Sequence, residues 1–249
     1  MGNYRAGRTN VTSDFTITEA DTEGGLIIDN TAADGDPAIF FKLGGSTKII
    51  MGIEDGNSDK FTIATGQNAA SGVWTNKRLV LDTDGNFGIN AATPVTKLDV
   101  NGSFTTGLVT LVETGAVTAA THAGRTLLLG EVGGNAECAI TLPAATGTGD
   151  LYRFVVSVVN TSNYIIKVAD ATDTIDGSVT ILDVDGTAQA GYAATGADDT
   201  ITLNGTTTGG ALGDWVEFVD IATNQWAVRG HLVVPAGSNI ADPFSEAVS

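Results

Sequence analysis

Acidic side chains gathered on turns are the residues of this chain whose types and spacing point to chemistry, and that chemistry is the binding of a hard cation. Asp82-Thr83-Asp84-Gly85-Asn86 sets two carboxylates and a carboxamide around a glycine turn. An EF-hand loop needs Gly at its sixth position and an acid at its twelfth. Counted from Asp82, Gly85 is fourth and Thr93 is twelfth, so the pattern fails twice and a hairpin turn is the plainer reading. Asp183-Val184-Asp185-Gly186 is a turn of the same kind. Asp170, Asp173 and Asp176 recur at every third residue of ADATDTIDG, either sharing a cation or standing as solvated turn acids. Gly209–Asp214 (GGALGD) has the composition of a glycine-rich calcium repeat, but that architecture needs stacked copies and only one is present.

Nucleophilic and zinc chemistry find less. His122 and His231 lie far apart, with no partner at helical spacing for a zinc site. Cys138, the single cysteine, excludes an intrachain disulfide framework and reads as a strand thiol rather than a nucleophile. No GxSxG, phosphate-binding loop or dinucleotide fingerprint occurs. Carboxylate pairs for glycoside hydrolysis need only spatial proximity, which a sequence does not display. An aromatic-lined sugar groove is hard to build from nine Phe, four Tyr and three Trp. Trp215 and Trp226 fall on neighbouring strands and read as core, with glycan stacking the alternative. The expectation is a chain without catalytic, cofactor-binding or metal-ligating residues, and not an enzyme.

The elements that carry these residues are strands. Gly (32 residues) is abundant, Pro (5) is scarce and charged residues reach only 16%, which is a sheet-and-turn composition. Short strand-like runs come first: Phe15–Thr18, Gly25–Asp29, Ala38–Leu43, Lys48–Ile53, Lys60–Ala64, Arg78–Asp82 and Lys97–Val100. Acid-Asn-Gly turns separate them. After a passage rich in Thr, Ala and Gly, longer alternating runs follow: Arg125–Leu129, Glu137–Leu142, Tyr152–Val159, Tyr164–Val168, Val179–Asp183, Thr200–Leu203, Trp215–Ile221 and Trp226–Leu232. Eight strands at this spacing fit an antiparallel sandwich or a jelly-roll-like domain. The expected fold is all-β, with an N-terminal intertwined β-hairpin, fibre-like module (1–103), a linker-like segment (104–124) and a C-terminal antiparallel β-sandwich (125–249).

The net charge of −17 excludes a nucleic-acid binder, which needs clustered Lys and Arg. No apolar run approaches the ~20 residues that span a bilayer. Met1–Asp14 is polar throughout and shows no signal peptide, so synthesis in a host cytoplasm is expected. Arg5 and Arg8 precede the first acid, Asp14, and form a small basic arm suited to an acidic partner; a frayed end with two solvated arginines is the alternative. The runs Ile39-Phe40-Phe41 and Ile49-Ile50-Met51 have little of their own chain to cover them, which predicts burial against other copies in a homotrimer.

Two segments carry a resemblance. Leu81–Phe104, LDTDGNFGINAATPVTKLDVNGSF, resembles the GNVGIGTTTPxxKLDVNG turn-and-strand module of phage tail-fibre and other virion fibre proteins, with Asn90-Ala91-Ala92 in place of Gly-Thr-Thr. Most of residues 139–249, from ITLPAATGTGDLYRFVV through DWVEFVDIATNQWAVRGHL to the closing Ala247-Val248-Ser249, is similar to a domain of phage virion proteins that decorate the capsid or form head fibres. The resemblance implies a homotrimeric capsid decoration (cement) or head-fibre protein on the capsid exterior. It would bind the major capsid protein, with Arg5 and Arg8 as anchor. The alternative is a short tail-fibre or receptor-binding protein recognising a host surface glycan.

Overall fold

The computed structural model describes residues 26–31, 35–67, 74–130, 137–159 and 162–248. The chain divides into two compact units, Met1–Phe104 and Thr105–Ser249. Both are built from strands, and the fold is all-β.

The first unit is one six-stranded sheet of β1 (Ala38–Leu43), β2 (Ser46–Glu54), β3 (Lys60–Gln67), β4 (Trp74–Leu81), β5 (Phe87–Ile89) and β6 (Leu98–Val100), paired in sequence order. Gly44-Gly45 joins β1 to β2 with φ of +57° and +80°, the double positive twist that a two-residue hairpin demands and that glycine adopts without strain. Asp82 closes the β4–β5 turn: its Oδ1 accepts from the amides of Asp84 (3.0 Å) and Asn86 (2.8 Å). The short β5 runs antiparallel to β4 and parallel to β6. Residues 90–97 make the return that a parallel pair requires. Asn90, at φ +55°, ties that return down by donating from Nδ2 to the Asn101 carbonyl at 3.0 Å. The expected strand at 25–29 is irregular over its described residues, and the one at Phe15–Thr18 lies outside them.

In the second unit the chain runs through β7 (Leu108–Leu111), β8 (Gly115–Ala116), a single helical turn α1 (Ala119–His122), β9 (Thr126–Leu129), β10 (Cys138–Thr141), β11 (Leu151–Val156), β12 (Tyr164–Lys167), β13 (Thr174–Asp183), β14 (Gln189–Ala194), β15 (Thr200–Leu203), β16 (Trp215–Ala222), β17 (Gln225–Val234) and β18 (Phe244–Ser245). Seven strands form one sheet, in the order β14-β13-β17-β16-β11-β9-β7, and five form the other, β18-β15-β12-β10-β8. One hydrophobic cluster draws on both sheets. Phe154, Phe218 and Trp226 come from the first; Ile140, Ile166 and Ile201 come from the second. That is a β-sandwich.

Two expectations are corrected here. The sandwich is mixed rather than antiparallel. From β7 to β12 the chain alternates between the sheets at every strand, so consecutive members of each sheet run the same way: β7 with β9, β9 with β11, β8 with β10 and β10 with β12. Alternation of apolar residues reports which face is buried, not which strand is the neighbour or its direction. The segment 104–124 is not a linker either. It supplies β7, β8 and α1, and Val117 is buried in the core.

Candidate functional site

Side chains directly opposite one another on paired strands share a face. In the six-stranded sheet this places Ile39, Met51, Ile63, Leu79, Ile89 and Val100 in one row across all six strands. Ile53, Phe61, Leu81, Phe87 and Leu98 form the next row. Phe41 and Ile49 pair beyond them at the β1–β2 end. Every side chain in these rows is apolar, and none is buried. Leu98 is 54% exposed, Phe41 50% and Leu81 43%. Leu26 and Ile28 border a depression of about 280 Å³ on the same face, with Ile39, Met51, Ile53 and Phe61.

The opposite face carries the charges and is buried at its centre. Ile50, Ala64 and Trp74 form a buried cluster with Ala38 packed against it. Glu54 is buried beside them: its Oε1 accepts the Trp74 amide at 3.1 Å, and its Oε2 lies 2.9 Å from Lys77 Nζ. The sheet therefore hides its charged face and bares its apolar one. With aromatic side chains near 200 Å² and aliphatic ones somewhat smaller, roughly a third exposed on average, the bare face amounts to roughly 800 Å². That exceeds the ~300–600 Å² of the largest patch on a typical monomer and equals one side of a standard protein interface.

The six apolar residues singled out in the sequence divide between the faces. Ile39, Phe41, Ile49 and Met51 lie on the bare face. Ile50 is fully enclosed by its own unit; Phe40, its partner in the register, shares the opposite face, where it is 43% exposed at the sheet edge, so neither belongs to the bare face. A strand alternates, and three consecutive apolar residues cannot all point one way. Ile53, Phe61, Ile63, Leu79, Leu81, Phe87, Ile89, Leu98 and Val100 complete the face, and none of them lies in the two apolar runs. The available signal was the common parity of KFTIA, RLVLD, FGI and KLDV. Arg5 and Arg8 lie outside the described residues.

The acidic turns use their carboxylates locally. Asp82 is held below the usual carboxylate range, chiefly by the Asn86 amide. Asp170, Asp173 and Asp176 diverge, taking Thr172, the Ala145 amide (3.1 Å) and Gln225 (2.7 Å) respectively. Asp183 accepts from the amides of Asp185 and Thr187 at 3.1 Å. Asp214, from the glycine-rich segment, accepts from the amides of Gly210, Ala211 and Val233. Among the described residues no three His, Cys, Asp or Glu side chains converge as a metal site would require. His122 Nδ1 accepts the Thr118 amide at 2.9 Å, and His231 stands on β17. Cys138 is buried, which pushes its thiol pKa up. Trp226 is core, edge-on to Tyr152 with centroids 5.6 Å apart, while Trp215 faces outward. No helix among the described residues is long and apolar enough to cross a membrane.

No protein-family model matches the chain, and no curated protein matches it at significance.

Proposed function

We propose that this chain is a non-enzymatic structural protein of a phage virion: a homotrimer that decorates the capsid or forms a head fibre, bound to the major capsid protein. The bare apolar face of the N-terminal sheet carries the reading. Burying roughly 800 Å² per chain at ~25 cal/mol per Å² is worth on the order of 20 kcal/mol before association costs. Left in water, such a face invites indiscriminate aggregation; shared among copies, it becomes an interior. The resemblances of Leu81–Phe104 and of residues 139–249 supply the virion context. Synthesis in the host cytoplasm and residence on the capsid exterior follow from that context, as do the absence of a cofactor and of nucleic-acid or membrane partners.

Attachment is assigned to Arg5 and Arg8. Single surface ion pairs contribute on the order of 0–1 kcal/mol, but three arms on one trimer bind at high effective concentration. Deleting residues 1–10 is expected to abolish decoration of purified shells while leaving the trimer intact; normal occupancy by the truncated protein would sink the assignment. A tail-fibre or receptor-binding role is the second reading, favoured by the outward Trp215. Copy number per particle separates the two, with hundreds of copies meaning shell decoration and a dozen or two meaning tail.

A further inference from the structure

The outer face of the seven-stranded sheet carries an arrangement that neither the core nor the assembly face explains. Glu217 on β16 is completely buried although its strand position points away from the core. Its neighbours bury it. Arg153 of β11 donates from Nε (2.8 Å) and Nη2 (2.5 Å) to Oε2, and Arg229 of β17 donates from Nε (2.7 Å) and Nη2 to Oε1. Burial alone pushes the Glu217 carboxyl up, but the bonds from Arg229 and Arg153 overcome it and hold the group ionised. A buried ion triad is a poor source of stability, since apolar side chains of similar volume usually do as well. What it does supply is two guanidinium planes fixed on the sheet. Each uses two of its five N–H donors on Glu217, and the remaining donors are available on side chains that are 49% and 68% exposed.

Trp215 adjoins this pair. It is half-buried and outward, whereas Trp74 and Trp226 are each 1% exposed. The Arg153 guanidinium carbon lies 5.8 Å from its ring centre. Arg153, Val155, Gly213 and Trp215 line a depression of about 270 Å³, near the lower limit of ~300 Å³ for small-molecule sites. On β17, His231 stands opposite Trp215. The result is a partly exposed indole with the Arg153 guanidinium over one side of its ring, the guanidinium itself held in place by Glu217.

We infer that this face binds a saccharide, taking a single neutral sugar ring against Trp215 with its hydroxyls accepting hydrogen bonds from Arg153. Neutrality follows from the field. Residues 105–249 hold 16 acids against 4 bases, which repels polyanions despite the local arginines. The depression's volume limits the contact to one ring. The site lies wholly within residues 105–249.

The test uses the full chain, with glucose, galactose, N-acetylglucosamine and their short oligomers as neutral probes and oligogalacturonate as the acidic one. Trp215 is the most exposed of the three indoles without being fully so, so a change in intrinsic fluorescence reads the site, and saturation-transfer NMR identifies the sugar protons facing it. At least one neutral saccharide should bind saturably at millimolar concentration, with little salt dependence. Trp215→Ala should weaken that binding about tenfold, the scale of one lost aromatic contact, with an unchanged melting temperature. Arg153→Ala, at a residue that lines the depression and is 49% exposed, serves if Trp215→Ala does not fold, and should also weaken binding severalfold. The inference is overturned if no neutral probe binds, if only oligogalacturonate binds and salt abolishes it, or if both variants bind like the parent.

Discussion

Leu81→Asp is the sharpest perturbation of the bare N-terminal face. Leu81 sits between Phe61 and Phe87 in the register and is 43% exposed in the single chain. Burying a leucine completely is worth ~1.5–3 kcal/mol, so about 1 kcal/mol per chain remains unrealised at this position until something covers it. If other copies cover it, Asp forfeits that share and places an unpaired carboxylate in the seam, at several kcal/mol for each copy. Summed over three copies, the loss is on the order of 10 kcal/mol, enough to dissociate a trimer at micromolar concentration. If nothing covers the face, the substitution is a surface change within about 0.5 kcal/mol and improves solubility. Light scattering of the parent and variant decides: a trimer mass for the parent and a monomer mass for Leu81→Asp are expected. The same substitution at Phe40, on the opposite face, should leave the mass unchanged. A parent that runs as a clean monomer, or a Leu81→Asp trimer as stable as the parent, would refute the reasoning.

Other expectations rest on the second unit. Residues 105–249 expressed alone should unfold in one cooperative denaturant transition, because their core cluster is drawn wholly from that segment; a non-cooperative melt overturns this. Asp220→Ala should cost about 3 kcal/mol in the same assay by stranding the amides of Thr146, Gly147 and Thr148, which its carboxylate accepts at 2.6–3.1 Å. Gly177→Ala should cost at least about 3 kcal/mol, since a Cβ there meets the Val228 carbonyl oxygen at 2.0 Å with φ at +127°. The pH dependence has two signs. For Asp220 and Glu217, amide and guanidinium hydrogen bonds outweigh burial and lower the pKa, so their stabilisation is present above the ordinary values of 3.8 and 4.5 and is lost as pH falls through the lowered ones. Burial raises Asp173 and Asp214, so their ionisation opposes folding at neutral pH and acid relieves it. Denaturant midpoints should therefore hold or rise slightly from pH 7 to 5 and fall by pH 3; a steady fall from neutrality contradicts the assignment.

The sequence carried strand existence well and strand partnership poorly. Ala38–Leu43 and Thr200–Leu203 coincide with the observed strands to the residue, and Tyr152, Phe154 and Val156 face the core together as their alternation requires. Local pattern determines such features, because a half-buried strand must alternate. It does not determine which strands pair. The parallel neighbours β9 and β11 come together only because β10 crosses to the other sheet between them, a non-local event that leaves no mark on TLLL or LYRFVV. For the same reason β7 carries no strand signal of its own: four residues, LVTL, gain their strand identity from pairing with β9. Phe87–Ile89 was hidden by the turn residues on either side.

The bare face was half legible. Its residues were visible as apolar runs, but assigning whole runs to a seam ignored the parity that sends Ile49 and Ile50 to opposite sides. Pairing registers supply that parity, and with it the site changes character. Two short hydrophobic patches on β1 and β2 become a continuous surface over all six strands, while the buried Glu54–Lys77 pair marks the other side as the one this unit closes for itself. An internal ion pair beneath one face and an unbroken apolar field on the other invert the usual arrangement of a solvent-exposed sheet, in which polar residues face water. Such an inversion is stable when the apolar side also becomes an interior. Lone exposed leucines need no explanation, but complete rows of them across paired strands do, and a second copy of the same face is the partner whose composition matches.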